Sequence, residues 1–185
     1  FIANIFPQSL KVSVPAPHLI DWAERIGNNK KTATLSARGH LKSTLMYAYI
    51  MWRLLRFKDK EKWVYMSYND KLTRMHTSNI KELIRINPFF KDIIDMTQAE
   101  SRLLYTWNGR EIFSVEPMGI LTFTRGWHGY GVICDDVLAD PDNILNLTII
   151  QKITKTFREE ISSLPNPGGE IHLVGTPQHP EDLFF

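Results

Sequence analysis

The sequence contains only one cysteine, Cys134, so no disulfide bond can form within the chain. Such sparse cysteine use is typical of proteins from a reducing compartment. No group of cysteines and histidines has the spacing of a zinc site. The longest apolar run, from Leu45 to Trp52, is too short to cross a bilayer. We therefore expect a protein without structural zinc and without a membrane-spanning helix.

The sequence also lacks an excess of charge. Lys and Arg number 22 against 20 Asp and Glu, which leaves a net charge of +2. With so small a net charge, any contact with nucleic acid has to depend on a local group of basic residues. Lys58, Lys60 and Lys62 form one basic cluster, but Asp59 and Glu61 interleave, so we interpret it as a solvated turn. An apolar share of 43% over 185 residues is enough for one domain with a buried core.

Short apolar, β-prone segments alternate along the chain with segments whose apolar residues recur at helical spacing. The strand-like segments are 31–35, 63–68, 102–107, 111–115, 119–124, 131–134 and 170–174. The helical segments are 18–26, 43–56, 70–86 and 145–164. This alternation predicts an α/β fold with a mostly parallel sheet that is buried on both faces. Asn108-Gly109 predicts a hairpin, and hence a small antiparallel element at one edge of the sheet.

Two segments are predicted to be irregular. Residues 1–17, with three prolines and no clear periodicity, are expected to form an arm at the start of a single domain that spans residues 1–185. Residues 165–169, Pro-Asn-Pro-Gly-Gly, predict a sharp loop. The chain stops on an apolar sequence, Leu183-Phe184-Phe185, which we interpret as a cut within a longer protein.

A short polar loop that ends in Lys-Ser-Thr joins the first predicted strand to the long helix after it. This is the layout of a nucleotide phosphate-binding loop, in which backbone N–H groups and the helix dipole stabilise phosphate oxygens. In such a loop Lys42 reaches the β- and γ-phosphates and the Ser43 hydroxyl binds Mg²⁺. The candidate nucleotide-binding residues are Ser36, Ala37, Arg38, Gly39, His40, Leu41, Lys42, Ser43 and Thr44.

Two glycines of the usual phosphate-loop pattern, G-x-x-x-x-G-K-[ST], are missing. Ser36 stands at the position of the first glycine and Leu41 at the position of the second. Leu41 has a Cβ atom at a position where the pattern has glycine. We therefore expect a strained backbone there, at a cost of about 1–3 kcal/mol. The alternative interpretation is that Lys42 is an ordinary solvated residue in the first turn of a helix.

A second pattern is the acidic pair Asp135 and Asp136, directly after the short apolar strand 131–134. Ligands of α/β sheets bind at the carboxyl ends of the strands. In a nucleotide hydrolase the first carboxylate orients Mg²⁺, and the second accepts a proton from the attacking water. We expect this strand to be the neighbour of the one before the phosphate loop. The alternative is that the aspartates only cap a turn or a helix.

Three more residues are candidates for contact with the nucleotide. Thr176 follows the last predicted strand, where its hydroxyl can hydrogen-bond the attacking water or the γ-phosphate; an ordinary strand-to-loop turn is the alternative. Arg125 lies in a loop of glycines and aromatic residues, and Arg38 lies in the phosphate loop. Either guanidinium can stabilise transition-state charge, Arg125 in its own subunit or in a neighbour, and a surface arginine is the alternative for both. We interpret His40 as a polar loop residue rather than an acid or base.

Together these segments resemble the ATPase domain of the large terminase subunit, the DNA-packaging motor of tailed bacteriophages and related viruses. Residues 36–44 are similar to the divergent phosphate loop of that family, and residues 132–136 to its acidic strand. Residues 124–126 are similar to the segment that supplies an arginine to a neighbouring subunit, and residues 173–183 to the coupling motif. Pro17-His18 is similar to the segment beside the adenine.

The resemblance implies a RecA-like P-loop fold, ATP and Mg²⁺ as ligands, and roles for individual residues. Lys42 and Ser43 would hold phosphates and Mg²⁺. Asp135 would bind the metal, and Asp136 would act as the base.

Four further roles follow from the same resemblance. Arg38 would sense or stabilise the γ-phosphate, and Arg125 would reach the ATP of the next subunit. Thr176 would couple hydrolysis to movement, and His18 would lie beside the adenine. Asp136 replaces the more usual glutamate, so its shorter side chain has to be compensated by its position.

The resemblance also implies partners and a location. These are double-stranded DNA, a portal protein, a small terminase subunit and further copies of the chain in a ring, described as pentameric. The ring would form in the host cell cytoplasm, on the portal vertex of an empty procapsid. Members of that family carry a C-terminal nuclease domain, whose acidic metal cluster is missing from residues 1–185, so we expect no nuclease activity.

Two other classes of protein remain open on the sequence. One is another P-loop ATPase with a RecA-like core, such as a helicase, although helicases usually keep the loop glycines and carry a second RecA-like domain. The other is a nucleotide-binding scaffold module whose degenerate phosphate loop no longer hydrolyses ATP. The two missing glycines are the best support for the scaffold.

Overall fold

One sheet of seven strands organises the residues that the computed structural model describes, which are 15–57, 59–99, 101–123, 126–138 and 146–185. The strands are β1 Lys31–Leu35, β2 Glu61–Ser67, β3 Ile94–Asp95, β4 Leu103–Trp107, β5 Arg110–Gly119, β6 Gly129–Asp135 and β7 Pro165–Gly175. Their spatial order is β1-β7-β6-β2-β5-β4-β3. The first five in this order run parallel, and β4 and β3 are antiparallel to their neighbours. The predicted α/β fold with an antiparallel edge is confirmed.

Helices connect these strands, and local sequence sets their ends. In the described ranges they are α1 Pro17–Asn28, α2 Lys42–Leu55, α3 Asp70–Ile86 and α4 Leu147–Glu159, with short 3₁₀ turns at Pro88–Phe90 and Ile161–Ser163. The Asn69 side chain caps α3 by accepting a hydrogen bond from Leu72 N at 2.9 Å. None of the helices in these ranges is long and apolar enough to cross a membrane.

The predicted limits of two helical regions need correction. Pro17 begins α1 instead of ending an irregular arm, because proline fits the first position of a helix, and residues 1–14 lie outside the described residues. The predicted helix 145–164 ends at Glu159 and continues as a 3₁₀ turn. Its predicted first residue, Leu145, also lies outside the described residues.

Both faces of the sheet are buried, as a parallel sheet between helices requires. Trp63 and Tyr65 on β2 belong to a core that also contains side chains of α1, α2 and α3. Val64 and Met66 point to the opposite face, where the core contains side chains of α4. The alternation along β2 therefore places Tyr65 under the helix that follows the phosphate loop.

Asn108 and Gly109 form the hairpin turn between β4 and β5 that the sequence predicts. Both have positive φ, 49° and 74°. Glycine adopts this conformation without strain, and asparagine is among the few other residues that tolerate it. The hairpin and β3 make up the antiparallel edge.

Residues 119–124 do not form the separate strand that their apolar sequence predicts. Gly119 is the last residue of β5, and the next three residues form a turn. The Asp70 carboxylate accepts hydrogen bonds from Gly119 N at 2.7 Å and from Thr122 Oγ1 at 2.8 Å. This side chain, distant in sequence, stabilises the turn. Thr124 lies outside the described residues.

The predicted sharp loop at 165–169 is the first part of β7. Gly129 of β6 pairs with Pro165, but Gly131 pairs with Glu170, so the intervening residues of β7 form a large bulge. Gly168 in the bulge has a φ of 85°. The prediction of a loop is wrong, because β6 pairs with the chain on both sides of these residues and they belong to one strand.

A buried group of charged and aromatic residues joins α2 to the amino-terminal parts of the parallel strands. The Arg53 guanidinium contacts Glu61 at 2.6 Å and Glu170 at 3.2 Å, and it lies 4.6 Å from the ring centroid of Tyr130. The hydroxyls of Tyr49 and Tyr130 donate to Glu170. The charged side chains are at most 16% exposed. We call these five residues the Arg53 cluster.

Candidate active site

The carboxyl ends of three parallel strands bring the predicted site segments to one edge of the sheet. The candidate phosphate loop follows β1, Thr176 follows β7, and the acidic pair lies at the end of β6. Because β7 lies between β1 and β6, the expectation that the phosphate loop and the acidic pair come from neighbouring strands is wrong. The strand order depends on pairings between distant segments, which local periodicity does not determine. The insertion of β7 places Thr176 between the other two segments.

Lys42 is the first residue of α2, and its side chain folds back over the loop. Nζ donates hydrogen bonds to Ser36 O at 3.0 Å, Ala37 O at 2.9 Å and Thr176 Oγ1 at 3.1 Å. The residue is only 5% exposed, so the alternative of a solvated helix residue is wrong. The three acceptors are neutral oxygens, which leave the ammonium charge available to an anion. The amino end of α2 adds the favourable end of the helix dipole.

Ser43 and Asp135 are hydrogen-bonded across the site. Ser43 Oγ donates to Asp135 Oδ1 at 3.1 Å, and Tyr65 OH donates to Asp135 Oδ2 at 2.5 Å. Burial raises the pKa of Asp135 to about 6, and the hydrogen bonds from Tyr65 and Ser43 oppose this rise. A cation beside the carboxylate would favour its ionised form.

Asp136 is held by the backbone on both sides of β7's end. Its N–H donates to Val174 O at 3.0 Å, and its Oδ1 accepts from Thr176 N at 3.1 Å. Its φ of 44° is in the left-handed region, which aspartate tolerates better than most residues. Thr176 Oγ1 also donates to Ser36 O at 3.0 Å, so Thr176 contacts the phosphate loop, Lys42 and Asp136 at once.

The segment after Thr176 folds around the buried carboxylate of Asp182. Gln178 N and His179 N donate to its Oδ2 at 2.8 and 3.1 Å, and Phe184 N donates to its Oδ1 at 2.9 Å. The Phe184 ring packs so closely on the end of β7 that a Cβ at Gly175 would lie 2.6 Å from it. These contacts hold the segment against the site.

The other predicted residues lie around the phosphate loop. The His18 ring is 5.8 Å from the His40 ring and 4.9 Å from the Trp22 ring, which places the start of α1 beside the loop. His18 Nε2 is buried and has no hydrogen-bond partner in the described residues. The Arg38 side chain is exposed. The remaining loop members are Ala37, Gly39 and His40, which are exposed, and Ser36 and Thr44, which are half-buried.

Arg125 lies outside the described residues, as does its neighbour Thr124. The described residues that follow them are Gly126, with a φ of 95°, and Trp127, which is buried. The role of Arg125 therefore stays a prediction.

The donor set fits Mg²⁺ held together with a polyphosphate. No group of three or more His, Cys, Asp or Glu side chains that could hold a metal ion occurs in the described ranges. Mg²⁺ is usually bound by one or two protein carboxylates, substrate phosphates and waters, so it does not need such a group. The Ser43 hydroxyl and the Asp135 carboxylate, already in contact at 3.1 Å, supply suitable hard oxygen ligands. The buried ammonium of Lys42 fits the phosphates themselves.

Three residues of the site region were missed by the sequence analysis: Tyr65, Tyr47 and His76. They come from β2, α2 and α3, and no spacing in the sequence connects them. The available signal was the position of Tyr65 within an apolar strand, since a buried tyrosine hydroxyl usually has a hydrogen-bond partner.

Leu41, in the position of the second missing glycine, has the predicted strained backbone. Its φ is 60° and its ψ is 27°, the left-handed conformation that disfavours side chains with a Cβ atom. We expect Leu41→Gly to be more stable than Leu41→Ala by about 1 kcal/mol, because both variants lose the leucine side chain and only glycine loses Cβ. Urea denaturation of the two variants measures this difference. A Leu41→Ala protein as stable as Leu41→Gly would show that the backbone is not strained.

Comparison with known proteins gives a result for the fold. No protein-family model and no curated protein matches the sequence. The large terminase of bacteriophage HK97 matches with 13% identity and a TM-score of 0.64, over 92% of this chain and 35% of that one. A large terminase from a thermophilic bacteriophage, solved with ATP-γ-S, has 13% identity and a TM-score of 0.53, over 85% and 36% of the two chains. Dbp5 of S. cerevisiae, bound to Nup159, Gle1, IP6 and ADP, has 12% identity and a TM-score of 0.52, over 91% and 44%.

These structures define the class of fold. The chain shares the α/β fold of these structures, and its predicted resemblance to large terminases is confirmed at the level of the fold. The chain spans about a third of the length of the two terminases.

Proposed function

We propose that this chain binds ATP with Mg²⁺ at the carboxyl edge of the sheet and hydrolyses it, as the ATPase domain of a viral DNA-packaging terminase. The observation that carries the proposal is the meeting of three separate sequence segments at one place. Ser43 donates a hydrogen bond to Asp135 at 3.1 Å, and Lys42 donates one to Thr176 at 3.1 Å. A buried ammonium, a helix amino end and a carboxylate beside a hydroxyl are the groups that a magnesium–nucleotide complex requires.

Each side chain of the site has a separate task in this proposal. Lys42 would exchange its hydrogen bonds to the loop carbonyls for hydrogen bonds to phosphate oxygens, and Ser43 and Asp135 would hold the cation. Bound Mg²⁺ would neutralise charge on the β- and γ-phosphate oxygens. Asp136 accepts the proton of the attacking water, and the hydrogen bond from Thr176 N orients its carboxylate.

The finer part of the proposal concerns what hydrolysis drives. We infer that it moves double-stranded viral DNA into a procapsid, with Thr176 as the link between hydrolysis and movement. Arg38 would contact the γ-phosphate, and Arg125 would reach the ATP of a neighbouring copy in a ring. The portal protein, the small terminase subunit and a host cytoplasmic location belong to the same proposal. Its support is the likeness in fold to two large terminases.

Substitution of Asp136 tests the proposed hydrolysis. We expect Mg²⁺-dependent release of phosphate from ATP by the wild-type chain at high protein concentration, with double-stranded DNA present. Asp136→Asn should lower this rate about 100- to 10,000-fold, since it removes the general base, while binding of the magnesium–nucleotide complex persists. Asp92→Asn is the matched control, because Asp92 is exposed. Equal rates for Asp136→Asn and Asp92→Asn would contradict the assignment of the base.

A nucleotide-binding module without hydrolysis is the second candidate function. The strained backbone of Leu41 favours it, because the loop lacks the glycine that allows close approach to phosphates. This module would be supported if calorimetry shows that the wild-type chain binds ATP and the chain releases no phosphate, even with DNA.

A RecA-like helicase is the third candidate function, favoured by the likeness to Dbp5. Stimulation of hydrolysis by single-stranded and not by double-stranded nucleic acid would support it.

A further inference from the structure

Asp135 is supported from behind by three buried residues that the proposed mechanism does not use. They are Tyr65 from β2, Tyr47 from α2 and His76 from α3, and none is more than 8% exposed. Their rings lie together: Tyr65 is 6.4 Å from Tyr47 and 5.5 Å from His76, measured between ring centroids. We call these residues the Tyr65 group.

The two oxygens of the Asp135 carboxylate have different partners. Oδ1 accepts from Ser43, on the side of the site, and Oδ2 accepts from the Tyr65 hydroxyl, on the side of the core. Rotation of the carboxylate would break both bonds at once. The short distance of 2.5 Å to Tyr65, with both partners fully buried, makes this the firmer of the two.

The position of Tyr65 is itself fixed by its neighbours. The Tyr47 hydroxyl and His76 Nδ1 are 2.5 Å apart and hydrogen-bonded, which locks the two rings that pack against Tyr65. His76 Nδ1 is 3.8 Å from Asp135 Oδ2, beyond direct hydrogen bonding. The Tyr65 hydroxyl is therefore the group that satisfies Oδ2.

We propose that Tyr65 is a positioning residue for the metal site, which fixes the Asp135 carboxylate so that its free lone pairs face the cation held with Ser43. The inference rests on the proposed function, because it needs a cation at Ser43 and Asp135. Tyr65 touches neither nucleotide nor cation in this arrangement. It acts through the orientation of Asp135 alone.

Tyr65→Phe tests the inference, since it removes the hydroxyl and keeps the ring. The measurement is binding of Mn²⁺, as a substitute for Mg²⁺, in the presence of a non-hydrolysable ATP analogue, by electron paramagnetic resonance. We expect binding of Mn²⁺ to be weakened about 10- to 100-fold, the usual effect of removing a residue that orients a metal ligand. Binding of the analogue without metal should stay within about twofold of wild type, because the contacts of Lys42 are unchanged.

Tyr105→Phe is the matched control. Tyr105 is also buried in the sheet, on β4, and its hydroxyl has no hydrogen-bond partner among the described residues. It should bind Mn²⁺ as the wild type does. Near-ultraviolet circular dichroism establishes that both variants keep native packing.

The outcomes separate the inference from the proposed function. Wild-type affinity for Mn²⁺ in a folded Tyr65→Phe chain would overturn the inference and leave the proposed function standing. An equal loss of Mn²⁺ affinity in Tyr65→Phe and Tyr105→Phe would also overturn it, because the effect would then come from a general loss of packing in the core. Failure of the wild-type chain to bind Mn²⁺ with the analogue would overturn the proposed function itself.

Discussion

Lys42→Ala is expected to reduce ATP hydrolysis about 100- to 1,000-fold, the range found when one preorganised charge-stabilising donor is removed from an active site. The Lys42 ammonium is buried, and its hydrogen-bond partners are neutral oxygens, so none of them neutralises its charge. The loss of charge-assisted hydrogen bonds should also weaken binding of the magnesium–nucleotide complex, by about 10- to 100-fold. Steady-state rates and isothermal titration calorimetry measure the two effects separately.

The control for this variant is Lys155→Ala. Lys155 is an exposed residue of α4, so its removal changes the net charge equally without touching the loop. Lys42→Ala should remain folded, because Ser36 is half-buried and Ala37 is exposed, so water can replace the ammonium at their carbonyl oxygens. A folded Lys42→Ala chain with the rate of Lys155→Ala would show that ATP does not bind at this loop.

Arg53→Met is expected to lower the free energy of unfolding by about 3–5 kcal/mol, since it leaves the buried carboxylates of Glu61 and Glu170 without their cation. Urea denaturation at neutral pH measures this loss. Arg85→Met is the control, because the Arg85–Glu82 pair is exposed, and exposed ion pairs contribute little to stability. Equal stability of the two variants would show that the Arg53 cluster does not stabilise the fold.

Acid should reduce the difference between Arg53→Met and the wild type. Burial by itself would raise the pKa of Glu170, but hydrogen bonds from His172 and Tyr49 and the charge of Arg53 bring it down to about 2. A carboxyl with a depressed pKa contributes stability above its unfolded value of 4.5, and this contribution is lost as the pH falls towards about 2. Without Arg53, less of this stabilisation by Glu170 is present at neutral pH. The difference in free energy of unfolding between the wild type and Arg53→Met should therefore narrow between about pH 4.5 and pH 2.

The elements of the fold were largely predictable because each is determined by nearby residues. Asn108-Gly109 specifies its hairpin through backbone conformation, and Asn69 and Pro88 limit α3. The segment 119–124 was predicted wrongly because the contact that decides its shape, the capture of Gly119 and Thr122 by Asp70, joins residues far apart in the sequence.

In the candidate site, too, features set by nearby residues were predictable and features set by distant contacts were not. The candidate phosphate loop and the acidic pair could be proposed from the sequence because each lies on a contiguous segment with a known chemical pattern. The insertion of β7 between β1 and β6, and the contact of Tyr65 with Asp135, depend on strand pairing and on packing across elements. Neither leaves a spacing that a single sequence reveals.

The carboxylate of Asp182 has a mechanical consequence for the end of the chain. Because it satisfies backbone N–H groups at both ends of residues 178–184, this segment behaves as one small rigid body and not as a series of independent joints. Thr176 attaches that body to Lys42 and Asp136, while Glu170, further back on the same strand, is fixed by Arg53. A change in the partners of Thr176 would therefore act on residues 178–184 as one unit, and through the Phe184 ring on the end of β7.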